Sequence, residues 1–518
     1  MGAVVNVIQN FLSVHQFTNF FTITLGVLIV YVLADWCNQK ATIITYLLHA
    51  EYGKKELNAP PMVPYWVPFI GSMISFGMNP VDFLTENRKK YGDVFTFLMF
   101  GRKMTYALGT EGNNFVLNSK HSHVNAEEAY RPLTKPVFGE GVVYDCPNHM
   151  LMDQKRFAKE GLSFDALRTY VPMIVEETVE YFKRWNKTTD EAEISVAFAE
   201  LIINTASRCL MGKEIRSQLD ETVAHLLHDL DNGFQPINFL FEWLPLPSYR
   251  KRDEAHIKLT NIFLNIIENR RQKGDMNNED ILQHFMTATY KDGHQMTDKE
   301  VAHMMIALLM AGQHTSAATS TWALMHIAYD PKLRAQIYAE QKEIFGEELE
   351  PLNFNDLNKC KVLDNLVRET LRMHTPIVAI MRKVVQAVNY PKSDIVVPKG
   401  HFLCSSPIIT QISEEHFENP MEFNASRWNN ISSEKDDDDS IFGTTGKGAK
   451  NPYLPFGAGR HRCIGEPFAY VQIKTILATL VRLFEIENVP GREFPEPDYT
   501  KLFVTPQTPV SCKYTRRN

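Results

Sequence analysis

Cysteine is scarce in this chain: there are seven in 518 residues, an odd number at scattered positions. Small secreted domains held together by disulfides need paired and closely spaced cysteines, so that class of protein is excluded. The pattern fits a reducing compartment, in which a cysteine with a special role acts as a ligand or a nucleophile.

An excess of positive charge is also missing. Lysine and arginine number 54 against 61 aspartates and glutamates, which gives a net charge of −7. A mildly acidic chain argues against nucleic acid as the main partner. The hydrophobic fraction of 44% and the charged fraction of 22% are ordinary for globular proteins. Disordered, collagen-like and coiled-coil chains are therefore excluded.

Long hydrophobic runs are rare, and the clearest one lies near the N-terminus, at 20–34. It is about 15 residues long, against the roughly 20 that a membrane span usually needs, and apolar neighbours on both sides can extend it. Basic residues follow the run and none precedes it, which places the remainder of the chain in the cytosol. We predict a membrane anchor over 1–37, with a buried core helix as the alternative, and a proline-rich linker over 38–68.

The remaining sequence, 69–518, is predicted to form one mainly α domain with small β-sheets. Helical patterns occur at 80–91, 152–162, 170–184, 196–210, 216–231, 253–273 and 279–290. Strands are predicted in two groups, 95–98 with 105–108 and 382–385 with 395–397 and 402–405. Four successive aspartates at 436–439 indicate a solvated loop.

One predicted helix is unusually long. Thr297 and Glu300 form a capping-box sequence. Nothing stops the helix before Asp330, which predicts about 32 residues and roughly 48 Å. Gly312 in its middle costs on the order of 1 kcal/mol against alanine, so a small residue there indicates that a flat group lies against the backbone. Thr315 can bond the carbonyl four residues back and bend the helix. An ordinary core helix is the alternative.

The strongest chemical signal is the segment Pro455-Phe-Gly-Ala-Gly-Arg-His-Arg-Cys-Ile-Gly465. Its glycines permit a tight turn whose backbone approaches a ligand closely, and a helical pattern begins just after Cys463. At a helix N-terminus the dipole and the free amides favour a thiolate, and Arg460, His461 and Arg462 add positive charge. A thiolate on iron donates electron density that assists O–O cleavage. The alternative is a buried cysteine in a glycine-rich turn.

This segment resembles the heme-binding loop of the cytochromes P450, a family of heme-thiolate monooxygenases. Glu369-Thr-Leu-Arg372 resembles the Glu-x-x-Arg of that family, and Phe423-Asn-Ala-Ser-Arg-Trp428 resembles its Phe-x-Pro-x-Arg-Trp element. The resemblance implies a cytochrome P450 fold with an N-terminal transmembrane anchor. It also implies a buried structural triad of Glu369, Arg372 and Arg427, in which the first two share one helix face.

Two further segments resemble the fungal sterol 14α-demethylases: 126–148, and Gly312-Gln-His-Thr-Ser316, where a histidine replaces the acid usual in cytochromes P450. The resemblance implies removal of the 14α-methyl group of lanosterol or eburicol in three O2- and NADPH-dependent steps of ergosterol biosynthesis. It implies heme b as cofactor, NADPH–cytochrome P450 reductase as electron donor and azoles as inhibitors. It further implies a single-pass protein of the endoplasmic reticulum membrane with a cytosolic catalytic domain.

The same resemblance implies roles for individual residues. Cys463 would be the axial ligand of the heme iron. Thr315 would hydrogen-bond dioxygen, and His314 would feed the proton relay. The heme propionates would be held by Tyr130, Tyr144, Lys155, Arg382 and His461. The sterol pocket would be lined by Tyr130, Thr134, Phe138, Ala307, Leu308, Met310, Ala311, Gly312, Ile377, Val378, Ala379 and Ile380.

One run departs from the family pattern. After the Glu-x-x-Arg helix the family usually reads Pro-Leu-or-Ile-His-Ser-Ile, with the histidine near a propionate, whereas this chain has Pro376-Ile-Val-Ala-Ile380. Val378 cannot donate a hydrogen bond, so one contact worth roughly 0.5–1.5 kcal/mol is lost and the pocket wall is more apolar. The alternative function is therefore that of a divergent paralogue, a monooxygenase acting on another sterol-like or apolar substrate.

Overall fold

The computed structural model describes residues 58–218, 221–234, 244–274, 280–429 and 448–517. The predicted anchor, most of the predicted linker and the four-aspartate loop lie outside these residues. The α-helices are α1 (Met73–Met78), α2 (Pro80–Tyr91), α3 (Gly109–Asn118), α4 (Ala126–Phe138), α5 (Asn148–Glu160), α6 (Phe164–Phe182), α7 (Ile194–Ala206), α8 (Lys213–Gln218), α9 (Glu221–Asp231), α10 (Pro247–Lys273), α11 (Ile281–Met286), α12 (Asp298–Tyr329), α13 (Pro331–Phe345), α14 (Phe354–Leu357), α15 (Lys361–Met373), α16 (Pro407–Gln411) and α17 (Glu466–Leu483). A π-helical turn, Ser207–Met211, follows α7.

Strands are fewer and shorter than helices, as predicted. They are β1 (Val94–Met99), β2 (Arg102–Ala107), β3 (Val124–Asn125), β4 (Thr189–Glu193), β5 (Ile380–Val384), β6 (Val388–Asn389), β7 (Val396–Val397), β8 (Phe402–Ser405), β9 (Phe484–Asn488), β10 (Pro497–Asp498), β11 (Thr505–Pro506) and β12 (Ser511–Arg516). The largest sheet has the order β1-β2-β8-β5-β3. Its first two strands form the predicted antiparallel hairpin, and β8 lies parallel to β2.

The predicted later strand cluster is only partly right. β5 and β8 pair antiparallel as expected. β7, however, pairs with β6 in a separate two-stranded sheet. The amide of Tyr390 donates to the carbonyl of Ile395 at 2.8 Å and closes the turn between them. Such a short loop costs little entropy to close, so the local partner is favoured over the distant sheet.

The described part of the predicted linker is bound to the domain. The amide of Val63 donates to the carbonyl of Thr96 in β1 at 2.7 Å, and the amide of Thr96 donates to the carbonyl of Pro61 at 2.8 Å. A proline-containing segment can occupy the edge of a sheet because its missing N–H groups can point away from the neighbouring strand. These residues therefore extend the sheet at β1.

The long helix α12 forms the centre of the molecule. Its 32 residues begin with the predicted capping box, in which Thr297 and Glu300 bond each other's backbone amides. Along most of its length the helix is buried on all sides, which is why its apolar residues form no single stripe. α7 packs along it. Among the described residues, Ile194–Met211 is the one helical stretch long and apolar enough to cross a membrane, and most of it is buried inside the domain.

Most predicted helices are present, with ends shifted by a few residues. The pattern at 216–231 corresponds to α8 and α9, and residues 219–220 between them lie outside the described residues. One prediction was too long. The pattern at 279–290 ends early because the chain turns around Gly293 and Thr289 pairs with Gln295 in a β-bridge.

Candidate active site

The cysteine loop is held in one conformation by a close approach to α3. Gly459 has a φ of 67°, and a Cβ there would lie 2.6 Å from Asn118 Oδ1 and 2.7 Å from the carbonyl of Leu117. Only glycine combines this left-handed backbone with so little space. The amide of Cys463 donates to the carbonyl of Phe456 at 3.0 Å and closes the loop. The sulfur is thus placed three residues before the start of α17.

Burial and the helix N-terminus shift the pKa of the Cys463 thiol in opposite directions. Burial raises the pKa of Cys463 above its ordinary value, although the amides of Gly465 and Glu466 and the charge of Lys155 lower it. Burial among the surrounding atoms has the largest effect although the residue itself is exposed, so the preference for the thiolate stays a prediction for the heme-bound protein. Metal ligation would remove the proton, because cysteine binds metals as a thiolate.

His461 does not carry the positive charge expected of it. Burial lowers its pKa to about 3, and the charges of Arg382 and Lys155 lower it further. His461 is therefore neutral at physiological pH, since a cation is costly where burial and neighbouring cations both oppose it. As a neutral imidazole it can still donate one hydrogen bond.

Lys155 reaches the cysteine loop from α5. Its Nζ donates to the backbone carbonyls of Arg460 at 3.0 Å and of Arg462 at 2.8 Å. Arg462 itself turns to α17, where its guanidinium donates twice to one carboxylate oxygen of Glu466, at 3.0 and 2.7 Å. Lysine and arginine thus brace the two sides of the loop that carries the cysteine.

Two tyrosines and an arginine complete this cluster. The rings of Tyr130 and Tyr144 stack at 5.0 Å, and Tyr144 lies 6.1 Å from His461. Tyr130 Oη accepts from the amide of Met381 at 2.9 Å, and burial raises the pKa of both tyrosines, so they remain protonated. Arg382 Nη1 donates to the carbonyl of Met381 at 2.8 Å. Its buried Nη2 has no partner among the described residues. The five predicted propionate ligands therefore gather beside the cysteine loop.

The middle of α12 borders an interior space. Ala311 is exposed although the helix is buried on either side of it. A Cβ at Gly312 would meet no described atom within 4 Å beyond its own helix neighbours. Thr315 Oγ1 donates to the carbonyl of Ala311 at 3.2 Å, as predicted for a hydroxyl at this position. Met310, in contrast, has no exposed surface. It lies about 100° around the helix from Ala311 and faces the packed core, and its place in the pocket wall stays a prediction.

His314 contacts two residues that the sequence did not identify. Its Nε2 lies 2.5 Å from Asp231 Oδ1 at the end of α9, although the angle is not that of a hydrogen bond. Its ring is nearly parallel to that of Phe503, with centroids 5.1 Å apart. Phe234 links Phe503 to Phe138 through edge-to-face contacts at 6.0 and 5.4 Å. These partners come from distant parts of the chain, and no local sequence pattern marks them.

The divergent run at 377–380 lies between the C-terminal segment and the cysteine loop. The amide of Val504 donates to the carbonyl of Pro376 at 2.9 Å, immediately before the run. At its other end, Ile380 Cδ1 lies 3.6 Å from the position that a Cβ of Gly457 would occupy. The run is partly exposed, and Ile377 is 43% exposed. It is therefore placed to form one wall of the same space.

Glu369 is the centre of a buried ionic cluster. It accepts from Arg372 at 2.9 and 2.8 Å, from Arg427 Nε at 2.9 Å and from Trp428 Nε1 at 2.9 Å. The amide of Asn424 donates to it at 3.0 Å. The side chains of Glu369 and Arg372 have no exposed surface. A buried carboxylate needs this many donors to offset its lost hydration, and the cluster ties α15 to the segment around 424–428.

Comparison with known proteins identifies the family. The sequence profile described as cytochrome P450 matches residues 60–514. The chain belongs to the cytochrome P450 family. Within it, the chain is 48% identical over 472 residues to the lanosterol 14-alpha demethylase of Cunninghamella elegans, covering 89% of this chain and 92% of that protein. It is 46% identical over 490 residues to a sterol 14-alpha demethylase of Gibberella zeae, covering 92% and 96%. This cytochrome P450 is therefore a member of the sterol 14-alpha demethylases.

A third relative and a solved structure agree with this assignment. The eburicol 14-alpha-demethylase of Penicillium italicum is 44% identical over 486 residues, covering 90% of this chain and 93% of that protein. The structure of retinoic acid-bound cyanobacterial CYP120A1 superposes with a TM-score of 0.76 at 19% identity, over 89% of this chain and 100% of that one. At that identity the structure supports the cytochrome P450 fold alone. The family's cofactor is heme iron, used with O2 and electrons that derive from NADPH.

The residues of this cytochrome P450 fit a heme. Among the described residues there is no cluster of three or more His, Cys, Asp or Glu that could hold a bare metal ion. A single cysteine is suited to a metal whose other ligands belong to a macrocycle. The unpartnered buried Nη2 of Arg382 suits an anionic propionate. The open face at Gly312 leaves room for a flat ring.

Proposed function

We propose that this cytochrome P450 removes the 14α-methyl group of lanosterol or eburicol. The observation that carries the proposal is the set of anion-binding side chains gathered beside Cys463, because they suit a heme held through its propionates. The names of relatives that align over about nine-tenths of the chain support the substrate class. None of these comparisons favours the alternative of another apolar substrate.

The reaction consists of three oxidations at one carbon. The methyl group becomes an alcohol, the alcohol becomes an aldehyde, and the aldehyde carbon leaves as formate while a 14,15 double bond forms. Each step consumes one O2, the two electrons of one NADPH and one proton. Heme bound through a cysteine thiolate supplies the oxidising power for this chemistry.

The protein's own part begins with holding the cofactor. Cys463 would ligate the iron, and the donors gathered beside it would hold the propionates. Arg382 has a free guanidinium nitrogen for this purpose, whereas Tyr130, Tyr144 and the neutral His461 would act as uncharged donors. Lys155 would have to share its ammonium between the carbonyls of the loop and a propionate.

Proton delivery is the second task. The carboxylate of Asp231 is about one-third exposed, His314 is less exposed, and Thr315 faces the interior space, so the three form a sequence from solvent to site. His314 would pass protons from Asp231 towards the Thr315 hydroxyl. Imidazole suits this role because it can accept a proton at one nitrogen and release one from the other.

Holding the sterol is the third task. The proposed wall residues of α12 and of 377–380 are apolar, which suits a tetracyclic alcohol. Phe138 closes one side together with Phe234 and Phe503. Thr134 already bonds the carbonyl of Tyr130 in its own helix at 3.1 Å, so it adds little polarity. The remaining wall residues would be Ala307, Leu308, Ala311, Gly312, Ile377, Val378, Ala379 and Ile380.

Membrane contact and redox partner complete the proposal. Of the ten large apolar side chains that are exposed in the described residues, five lie between Trp66 and Met78, and Trp66 is 95% exposed. Concentrated exposure of this kind indicates a membrane-facing surface, here next to the predicted anchor of a protein of the endoplasmic reticulum.

Electrons would come from NADPH–cytochrome P450 reductase, which would dock at the face where Arg460 and Arg462 are exposed beside the cysteine loop. Azole nitrogens would compete with dioxygen for the iron.

Reconstitution of the full-length protein with the reductase, NADPH and lanosterol or eburicol tests the proposal. We expect a 14-desmethyl product and formate, together with the red-shifted carbon-monoxide band of a thiolate-ligated heme. Cys463→Ser should lose this band, whereas Cys404→Ser, a buried cysteine of β8, should retain it. Well-folded protein with the band intact and no desmethyl product from either sterol would refute the assigned substrate.

A further inference from the structure

Two histidines outside the reaction machinery meet at the end of α4. His303 of α12 is 2% exposed, and His256 of α10 is partly buried, with 5.0 Å between the ring centroids. His303 Nδ1 lies 2.9 Å from the carbonyl oxygen of Glu140. His256 lies beside the backbone of Phe138, and its buried Nε2 has no hydrogen-bond partner among the described residues. Carbonyls at the C-terminal end of a helix lack partners within that helix, and His303 supplies one to the carbonyl of Glu140 just after α4.

The backbone of this segment is fitted closely to α12. Gly139 has a φ of 101°, and a Cβ there would lie 2.5 Å from the ring of His303. One turn earlier on α12, Lys299 Nζ lies 3.6 Å from the carboxylate of Glu140. Lys299 and His303 are four residues apart and so share one helix face. The end of α4 is therefore docked on the first turns of α12 through a charged contact and a hydrogen bond.

This docking decides where the sterol-facing side chains of α4 lie. Phe138 is the last residue of α4, and Thr134 is one turn before it. If the segment after Phe138 moved away from α12, Phe138 would lose its fixed position between the helix and Phe234. A pocket for a rigid ring system depends on such positions, because a displaced wall side chain opens a gap or blocks the site.

We propose that His256 and His303 are positioning residues that, in their neutral form, hold the end of α4 against α10 and α12 and release it when they become protonated. The proposal rests on the proposed function, because it takes the sterol as the ligand that this wall contacts.

The electrostatics of the site make the neutral form the docked one. Burial, followed by the charge of His303, lowers the pKa of His256 to about 4, and burial lowers the pKa of His303. The charged groups that face the pair are Asp253, Lys299, Glu140 and Glu300. When the segment is released, the pKa of each histidine returns towards its ordinary value of about 6.5. Docking is therefore at full strength above about pH 6.5 and weakens as the pH falls from there towards 4.

Hydrogen exchange of the full-length heme-loaded protein measures this docking directly. Release of the segment lets His256 take up one proton below about pH 6.5, which favours the released state. For His256 alone, the protection of the amides of Gly139 and Gly141, corrected for intrinsic exchange, should therefore fall about tenfold between pH 7.5 and 5.5. In a His256→Asn, His303→Asn double variant the fall should disappear, because the asparagine amide donates a hydrogen bond but does not titrate.

A matched control separates this effect from the loss of any buried histidine. His401 is also buried, its pKa is lowered to about 4 by burial, and its Nδ1 lies 2.8 Å from Thr105 Oγ1 in the main sheet. His401→Asn should keep the pH-dependent fall at Gly139 and Gly141. If the double asparagine variant also keeps it, the proposed positioning role is wrong.

Sterol binding gives the functional readout. His303→Ala removes the donor to Glu140, so the sterol dissociation constant, measured from the spin-state change of the heme, should rise about tenfold with kcat nearly unchanged. His303→Asn should restore it. An unchanged dissociation constant in the alanine variant, with the carbon-monoxide band intact, would overturn the proposal. If the wild-type protein binds sterol but yields no 14-desmethyl product, the proposed function is wrong. The hydrogen-exchange experiment then still tests whether the two histidines hold the end of α4.

Discussion

Thr315 and Thr319 stand one turn apart on α12 and make the same kind of bond, each to the carbonyl four residues back, at 3.2 and 2.8 Å. Thr319 is 2% exposed and surrounded by packed side chains, whereas Thr315 borders the interior space. The two residues thus share chemistry and backbone setting and differ in what their hydroxyls can reach.

This difference gives a prediction for the proton relay. Thr315→Val keeps the shape of the side chain and removes the hydroxyl, so product formation per NADPH consumed should fall on the order of 10²-fold, the typical contribution of a positioned proton donor. Reconstituted turnover measured together with NADPH consumption checks this. Thr319→Val is the matched control and should keep coupled turnover. Equal losses in both variants would assign the effect to helix geometry.

At the scale of elements, α15 has a buried glutamate acting near each end. Glu369 lies among arginines towards its C-terminal end. Glu340, from α13, accepts the amides of Val362 and Leu363 at 2.6 and 3.1 Å at its N-terminal end. The first is held by opposite charges and the second by backbone donors, so neutralising them should have different costs.

We expect Glu369→Gln to destabilise the protein by about 3–5 kcal/mol, because it leaves Arg372 and Arg427 with positive charge and no buried counter-charge. Glu340→Gln should cost less, about 1–3 kcal/mol, because the amide oxygen keeps one of the two N–H bonds, the other N–H loses its acceptor and no charge is left unpaired. Urea unfolding of the heme-loaded variants, followed together with the carbon-monoxide band, measures both. Similar midpoints for the two variants would contradict an ionic role for the Glu369 cluster.

At the scale of the whole molecule, the exposed apolar side chains between Trp66 and Met78 form the surface that we propose as the membrane contact. This stretch lies next to the segment bound to β1, so the predicted anchor and the exposed surface are close along the chain. A domain oriented in this way would take an apolar substrate directly from the bilayer.

Quenching of tryptophan fluorescence by brominated lipids tests this orientation in the full-length protein. Trp66→Phe should lower the fraction of emission that is quenched, because a side chain that is 95% exposed on the membrane face contacts lipid. Trp322→Phe removes a tryptophan with no exposed surface and should not lower that fraction. An unchanged quenched fraction in Trp66→Phe would place this surface away from the lipid.

Much of this protein could be predicted from short stretches of sequence. The capping box at Thr297, the Glu-x-x-Arg spacing at Glu369 and the glycines around Cys463 each depend on residues within one or two turns of chain, where backbone geometry fixes the distances. The long helix, the early hairpin, the cysteine loop and the family therefore followed from the sequence by itself.

Tertiary structure decided what depends on residues far apart in the chain. Folding places Asp231 and Phe503 against His314, and His256 beside His303. It also buries Met310 in the core and pairs β7 with β6. It also shifted the pKa values of Cys463 and His461, because burial and neighbouring charges act on a group only once the chain has folded around it. Local sequence patterns thus predicted the chemistry of the site, whereas long-range packing determined which residues contact the site residues and how their pKa values shift.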